Sequence, residues 1–317
     1  ARRPNPRIEM ADLRVSLGSL TLRNPVLAAA GTFGYGLEFA GAVRLSRLGA
    51  LVTKTLTRHP REGHPPPRLV ETPSGMLNAV GLQNVGLDAF LRDALPALRR
   101  HDVPVIVSLL SESPEELGQM VQQLDRADGA AAVELNLSCP NVHDRSGLQP
   151  RLVAHDPAAT QAMVQAACQR TRKPVLAKLS PDVTDLAPIA QAAERAGASA
   201  LTVGNTFVGM SLDPATRRSR LGTLTGGLSG PAIRPLAVYR VWYTARSVGI
   251  PVIGVGGVVR AADAREFFLA GASAVAVGTA HFADPAAALR VLDGIARYLD
   301  RHRLGSVEAL RGALGPP

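Results

Sequence analysis

Eight short, largely apolar runs, each followed by a stretch of helical composition, succeed one another along the chain. They are Val26–Ala30, Ala50–Leu56, Pro104–Leu110, Ala131–Ser138, Pro174–Ser180, Ala200–Thr206, Pro251–Gly256 and Ala274–Thr279. A strand covered on both faces has no wet side, so such runs read as parallel strands. Helices are predicted between them at Gly36–Leu48, Leu87–Arg100, Pro114–Ala127, Pro157–Arg172, Asp185–Ala196, Ala232–Val248, Ala262–Ala270 and Pro285–Arg303. Ser113-Pro114, Asp156-Pro157 and Asp284-Pro285 each place a capping side chain before a proline suited to a first helical turn. Eight strand–helix pairs without a break in composition predict one α/β domain over residues 1–317, a single closed (β/α)8 TIM barrel.

Two segments fall outside the repeat. Asp12–Arg23 alternates about Gly18-Ser19 and reads as a hairpin that closes the bottom of the barrel. Thr57–Val85 follows the second run, is rich in Pro, Gly, His and Arg, and reads as a long active-site loop on the face where barrels carry chemistry. Composition narrows the class further. At 46% hydrophobic and 19% charged, the chain has enough apolar material to fold, which excludes a disordered protein. Two cysteines make neither a disulfide framework nor an iron–sulfur site, and a reducing cytoplasm is expected. No stretch reaches the roughly 20 apolar residues of a membrane span, and Ala1–Arg7 has no signal-peptide core, so no membrane association is expected.

The cations mark positions. Net charge is +9, and of 35 Lys+Arg only Lys54, Lys173 and Lys178 are lysines, leaving 32 arginines. Where arginine serves every ordinary surface need, a lysine is a candidate for a place that needs a compact ammonium. Lys54 and Lys178 end the second and fifth runs, where barrel side chains face the active site. Lys173 precedes its run and belongs to the bottom face. Asn136 and Asn205 also sit at strand ends, with Asn78 and Asn84 in the long loop; an amide cluster without matching acids suits a flat, neutral, amide-bearing ligand. Gly256-Gly257 and Gly278-Thr279 end the last two runs, the standard phosphate position of this fold, where a missing Cβ lets an anion approach the backbone. They do not form a dinucleotide fingerprint. Cys139 lies at the mouth of the fourth run with no adjacent His or Asp, which leaves both general acid/base and nucleophile open. Cys168 reads as a small core residue, and neither cysteine has the company a metal site needs.

Glu71–Asn84, Glu134–Asn141, Leu179–Thr184, Thr225–Ala232 and Gly271–Thr279 resemble, segment by segment, the dihydroorotate dehydrogenase family. The cysteine at 139 resembles class 1, since class 2 carries serine there, and the first segment is most similar to the class 1B catalytic subunit. The resemblance implies oxidation of (S)-dihydroorotate to orotate in pyrimidine biosynthesis, with FMN as cofactor and Cys139 and Lys54 as catalytic residues. It implies flavin contacts from Ala30, Gly31, Lys54, Thr55, Ser108, Asn136, Lys178, Gly204, Gly230, Gly256, Gly257, Gly278 and Thr279. Lys54, Asn78, Val80, Gly81, Leu82, Asn136, Asn141, Asn205 and Thr206 would hold the substrate. It also implies a homodimer and an FAD and iron–sulfur partner subunit that passes electrons to NAD, with fumarate the other acceptor considered. Three positions depart from the pattern: Ser108 stands where asparagine often faces the flavin, Gly204 replaces a bulkier residue, and Ala30 replaces a frequent serine. The readings set against this one are a tRNA dihydrouridine synthase, which the basic charge would suit, and a dihydropyrimidine dehydrogenase-type activity. Dispersed arginines and no expected RNA-binding domain after the last helix speak against nucleic acid.

Overall fold

A computed structural model of the chain describes residues 11–138 and 153–316. The hairpin comes first: β1 (Val15–Leu17) and β2 (Leu20–Leu22) pair antiparallel about Gly18-Ser19. Gly18 takes φ +62, and a Cβ on it would lie 2.8 Å from that of Ser199, so the turn sits on the N-terminal end of the barrel as expected. The chain then runs through β3 (Val26–Ala28), β4 (Ala50–Val52), β5 (Leu69–Thr72), β6 (Gly75–Asn78), β7 (Val105–Leu109), β8 (Ala130–Asn136) and β9 (Val175–Leu179). It continues with β10 (Ala200–Val203), β11 (Phe207–Gly209), β12 (Leu212–Asp213), β13 (Arg218–Ser219), β14 (Gly226–Ser229), β15 (Val252–Val255) and β16 (Ala274–Val277).

Strands β3, β4, β7, β8, β9, β10, β15 and β16 close a barrel of parallel pairs, β16 completing the ring against β3. All eight fall on the predicted runs, and the fold is a (β/α)8 TIM barrel. Each paired segment is shorter than its run at the C-terminal end, because those residues leave the ladder to face the cleft. Lys54 shows it: its N–H donates to Gly34 rather than across β4 and β7.

The outer helices are α1 (Leu87–Ala89), α2 (Leu95–Leu98), α3 (Pro114–Asp125), α4 (Pro157–Cys168), α5 (Ala187–Arg195), α6 (Arg234–Ala245), α7 (Ala261–Leu269), α8 (Ala280–Ala283) and α9 (Ala287–His302). From α3 to α7 they match the predicted spans to within about a turn. Ser113 accepts from Glu116 N–H at 3.2 Å, and Asp156 accepts from Ala158 and Ala159, which are the caps foreseen. Three expectations need correction. Gly36–Leu48 forms two 3-10 turns, Leu37–Phe39 and Leu45–Arg47, not an α-helix. Gly36, left-handed at φ +95 against Leu51, precedes the first turn, and Arg44, extended at φ -71 and ψ 93, separates it from the second. Between α1 and α2 the helix widens to a π-turn at Phe90–Ala94, beside Pro96, which has no N–H to give the preceding turn. Asp284 does not cap a helix at Pro285; it ends α8 and accepts from Ala286, and α9 starts afterwards.

The segment Thr57–Val85 is also more ordered than a loop. Its β5–β6 hairpin joins β11 and β14 in a four-stranded antiparallel sheet, ordered β11-β14-β6-β5. The second half of that sheet comes from a further insertion after β10 that the sequence reading did not separate. Gly226 and Gly227 allow the close approach: Cβ atoms there would lie 2.8 Å from the Asn78 carbonyl oxygen and 2.0 Å from Thr206 Oγ1.

His281 of α8 is 2% exposed, its ring tilted against Phe33 with 4.6 Å between centroids. Burial pulls its pKa down to about 4, against smaller upward pulls from the Gly278 carbonyl and Asp284. Between pH about 6.5 and about 4 the unfolded chain therefore takes up a proton that the folded chain refuses. Stability falls through that window, by about 3 kcal/mol in total from this group, and the contribution is fully present above pH about 6.5. His281→Phe should remove this component, so its melting temperature should drop less between pH 7 and pH 4.5 than that of the wild type. Equal drops in the two proteins would show that His281 is not the acid-sensitive group.

Candidate active site

The C-terminal ends of the barrel strands open into a cleft with about 1140 Å³ of empty space, roofed by the inserted sheet. Gly31 reaches it after β3, Lys54 and Thr55 after β4, Asn136 at the end of β8, and Lys178 within β9. Gly204, Asn205 and Thr206 follow β10, Gly256 and Gly257 follow β15, and Gly278 and Thr279 follow β16. The sheet contributes Asn78 at the end of β6, with Val80 and Leu82 beyond it; Gly230 follows β14. Ala30 lines the cleft as well.

Two sequence-predicted residues stand off its surface. Gly81, with φ +73, is the turn between Val80 and Leu82; a Cβ there would strike His64 N at 2.5 Å. Ser108 is fully buried one layer beneath the floor, with Thr55 Oγ1 at 3.0 Å and its own N–H given to Thr53 Oγ1. Cys139 and Asn141 lie outside the described residues. Asn84, part of the amide pattern, holds the loop: its Oδ1 accepts from Thr57 and Gly86, and its Nδ2 donates to Thr57 Oγ1 and the Leu82 carbonyl. Cys168 ends α4 half-buried, donates to the Gly197 carbonyl, and has its thiol raised to about 11 by burial, as an inert packing residue should. Lys173 precedes β9, at the opposite end of the barrel from the cleft. The amides line the cleft without an acid among the described residues, and Glu134 lies buried in β8, two residues before Asn136. Its position in the strand shows in the sequence; its depth does not.

At one end of the cleft the backbone forms an anion cradle. Gly256 and Gly257 have φ of +131 and +73, and a Cβ on either would come within 2.8 Å of Ala237 or 2.7 Å of Arg234. Among the described residues, the N–H groups of Gly256, Gly257, Gly278 and Thr279 donate to no backbone acceptor. Four such donors around open space suit phosphate oxygens. Asp263 pins the loop that follows, accepting from Val259 at 3.0 Å and Arg260 at 2.8 Å while pairing with Arg234. At the other end stand two ammonium groups, Lys54 half-buried and Lys178 6% exposed. Among the described residues, no carboxylate lines this cleft, so it is electropositive as a whole.

A barrel with a phosphate cradle after its last two strands, and ammonium and amide groups on the remaining strand ends, is built for an anionic, ring-bearing ligand. That is the class of phosphate-binding (β/α)8 enzymes. The family model described as dihydroorotate dehydrogenase matches residues 12–299. A protein of Pelobacter propionicus named dihydroorotate dehydrogenase B (NAD(+)), catalytic subunit, is 49% identical over 96% of this chain and 98% of its own length. One of Desulforudis audaxviator with the same name is 50% identical over 94% of this chain and 96% of its own. The crystal structure of the Eimeria tenella dihydroorotate dehydrogenase with ferulenol shares the fold, at TM-score 0.79 and 24% identity, covering 99% of this chain and 91% of that one. The chain belongs to the dihydroorotate dehydrogenase family, whose members are flavin-dependent.

The cradle can be tested without turnover. A Cβ at Gly278 would meet nothing closer than 3.7 Å, so space there is open toward the cleft. Gly278→Val should fold with an unchanged melting temperature and bind a flavin phosphate roughly tenfold or more weakly, read by fluorescence titration of the apoprotein. Unchanged affinity would place the phosphate elsewhere.

Proposed function

We propose that this chain is the catalytic subunit of a class 1B dihydroorotate dehydrogenase. It would act as one barrel domain and oxidise (S)-dihydroorotate to orotate in pyrimidine biosynthesis. The observation that carries this reading is the cleft: a four-amide cradle at one end, and Lys54, Lys178 and the amides of Asn78, Asn136 and Asn205 at the other. These residues fit FMN, whose phosphate would take the N–H groups of Gly256, Gly257, Gly278 and Thr279. Bound there, FMN supplies the two-electron acceptor that substrate oxidation requires.

The chain's own groups do the rest. Lys178 holds an ammonium at the floor of the cleft, where it would stabilise negative charge on the bound group. Lys54 binds the substrate carboxylate at the half-buried edge, and Asn78, Asn136, Asn141, Asn205 and Thr206 hold the ring amides, with the backbone of Val80, Gly81 and Leu82 alongside. Cys139 takes the C5 proton as the C6 hydrogen leaves with its electron pair, and the C5–C6 double bond of orotate forms.

The relatives' name, a catalytic subunit with NAD(+), supports NAD as acceptor and a separate partner subunit; that partner would carry FAD and an iron–sulfur cluster. Fumarate is the alternative acceptor. A homodimer in the cytoplasm completes the reading. Among the described residues no helix is long and apolar enough to cross a membrane. The comparisons do not favour a tRNA dihydrouridine synthase or a dihydropyrimidine dehydrogenase.

Cys139→Ala should keep its flavin and bind orotate, yet be reduced by dihydroorotate about 10²- to 10⁴-fold more slowly at neutral pH, measured by anaerobic stopped-flow absorbance. Reduction at the wild-type rate would remove Cys139 from the role of base.

A further inference from the structure

Glu134 is a buried carboxylate that the reaction above does not use. It precedes Asn136 by two residues in β8, so both side chains point into the barrel, and it is 2% exposed. Its Oε2 accepts from Thr202 Oγ1 at 2.9 Å and its Oε1 from Ser108 Oγ at 3.4 Å. A serine hydroxyl has one proton. With that proton on Glu134, Ser108 must accept from Thr55 Oγ1, 3.0 Å away. Thr55, its own proton spent, accepts from Asn136 Nδ2 at 3.0 Å. On the other side, Asn136 Oδ1 accepts from Ser138 Oγ at 3.4 Å, and Ser138 Oγ accepts from Asn205 Nδ2 at 2.9 Å. Every donor points toward Glu134. A carboxylate only accepts, and the Ser138 N–H, donating to Asn136 Oδ1 at 3.4 Å, holds the same orientation from the other side.

Three members of that line, Thr55, Asn136 and Asn205, line the cleft. The direction has a consequence at Asn136: its carbonyl oxygen is turned to Ser138, and its second amide N–H remains for a ligand. Glu134 also shares a small internal cavity with Lys178 and Thr202, directly beneath the cleft floor at Ala29, Ala30 and Val255. Register places Lys178 beside Asn136 on one strand and Thr202 on the other. Among the described residues lining either space, Glu134 is the one carboxylate.

We infer that Glu134 is a positioning residue. As terminal acceptor of this line it holds, together with the Ser138 N–H, the face of Asn136 that meets the substrate, and its charge offsets that of Lys178 from below. The inference rests on the proposed function for the identity of the ligands, not for the geometry.

The test uses purified holoenzyme carrying Ser108→Ala or Glu134→Gln. Ser108→Ala cuts the line while leaving the carboxylate in place. Orotate, titrated against the visible flavin band, should bind about tenfold more weakly, with the flavin potential unchanged. Glu134→Gln keeps the side-chain volume but removes the negative charge, so the potential of the bound flavin should move to a more positive value. A lowered melting temperature with unchanged orotate affinity and unchanged potential would show a purely structural residue and overturn the inference. Should Glu134→Gln fail to fold, wild-type orotate affinity in Ser108→Ala overturns it alone. A wild-type protein that binds no orotate would instead overturn the proposed function.

Discussion

Closure of the barrel between β16 and β3 is the constraint on which the rest depends. Once eight short parallel strands form a ring, their C-terminal ends must converge, and residues far apart in the chain meet within one cleft. Lys54, Asn136, Asn205 and Gly256 share that space because each strand stops pairing at or just before them, and Lys178 reaches it from within β9. The inserted sheet depends on the same ring. Its two halves, β5–β6 and β11–β14, leave from β4 and β10 and pair above the mouth, where Gly226 and Gly227 allow the backbones to touch.

The ring was legible because strands covered on both faces write themselves as apolar runs, and eight of them alternating with helices without a break in composition fit a closed barrel. The two lysines that line the cleft, Lys54 and Lys178, were legible against a background of 32 arginines. The sheet was not. Its strands are three or four residues long and contributed by segments some 130 residues apart, so nothing local announces the pairing. The segment Gly36–Leu48 misled for another reason: its composition is helical, but Arg44 is extended and divides it into two short turns.

Depth along a strand was the other hidden quantity. Ser108 and Thr55 are both hydroxyl residues near strand ends, yet one lies beneath the other. Glu134 belongs to the same motif as Asn136 and sits one layer below it, where no ligand reaches. What the sequence presents as a row of polar residues is a two-storey arrangement, with an upper layer that lines the cleft and a lower one hydrogen-bonded to it. The lower layer brings the one acid into an otherwise cationic site, and this balance lets Lys178 lie almost wholly buried without an ion pair among the described residues.

The central claim is that this cleft passes electrons from dihydroorotate to a bound flavin. Anaerobic titration of the purified yellow protein with dihydroorotate, following the visible flavin band, tests it most directly. Bleaching at about one equivalent of substrate, with orotate appearing in the same proportion, is the predicted result. A yellow protein whose band does not bleach with excess dihydroorotate, or a colourless one that takes up no FMN, would contradict it.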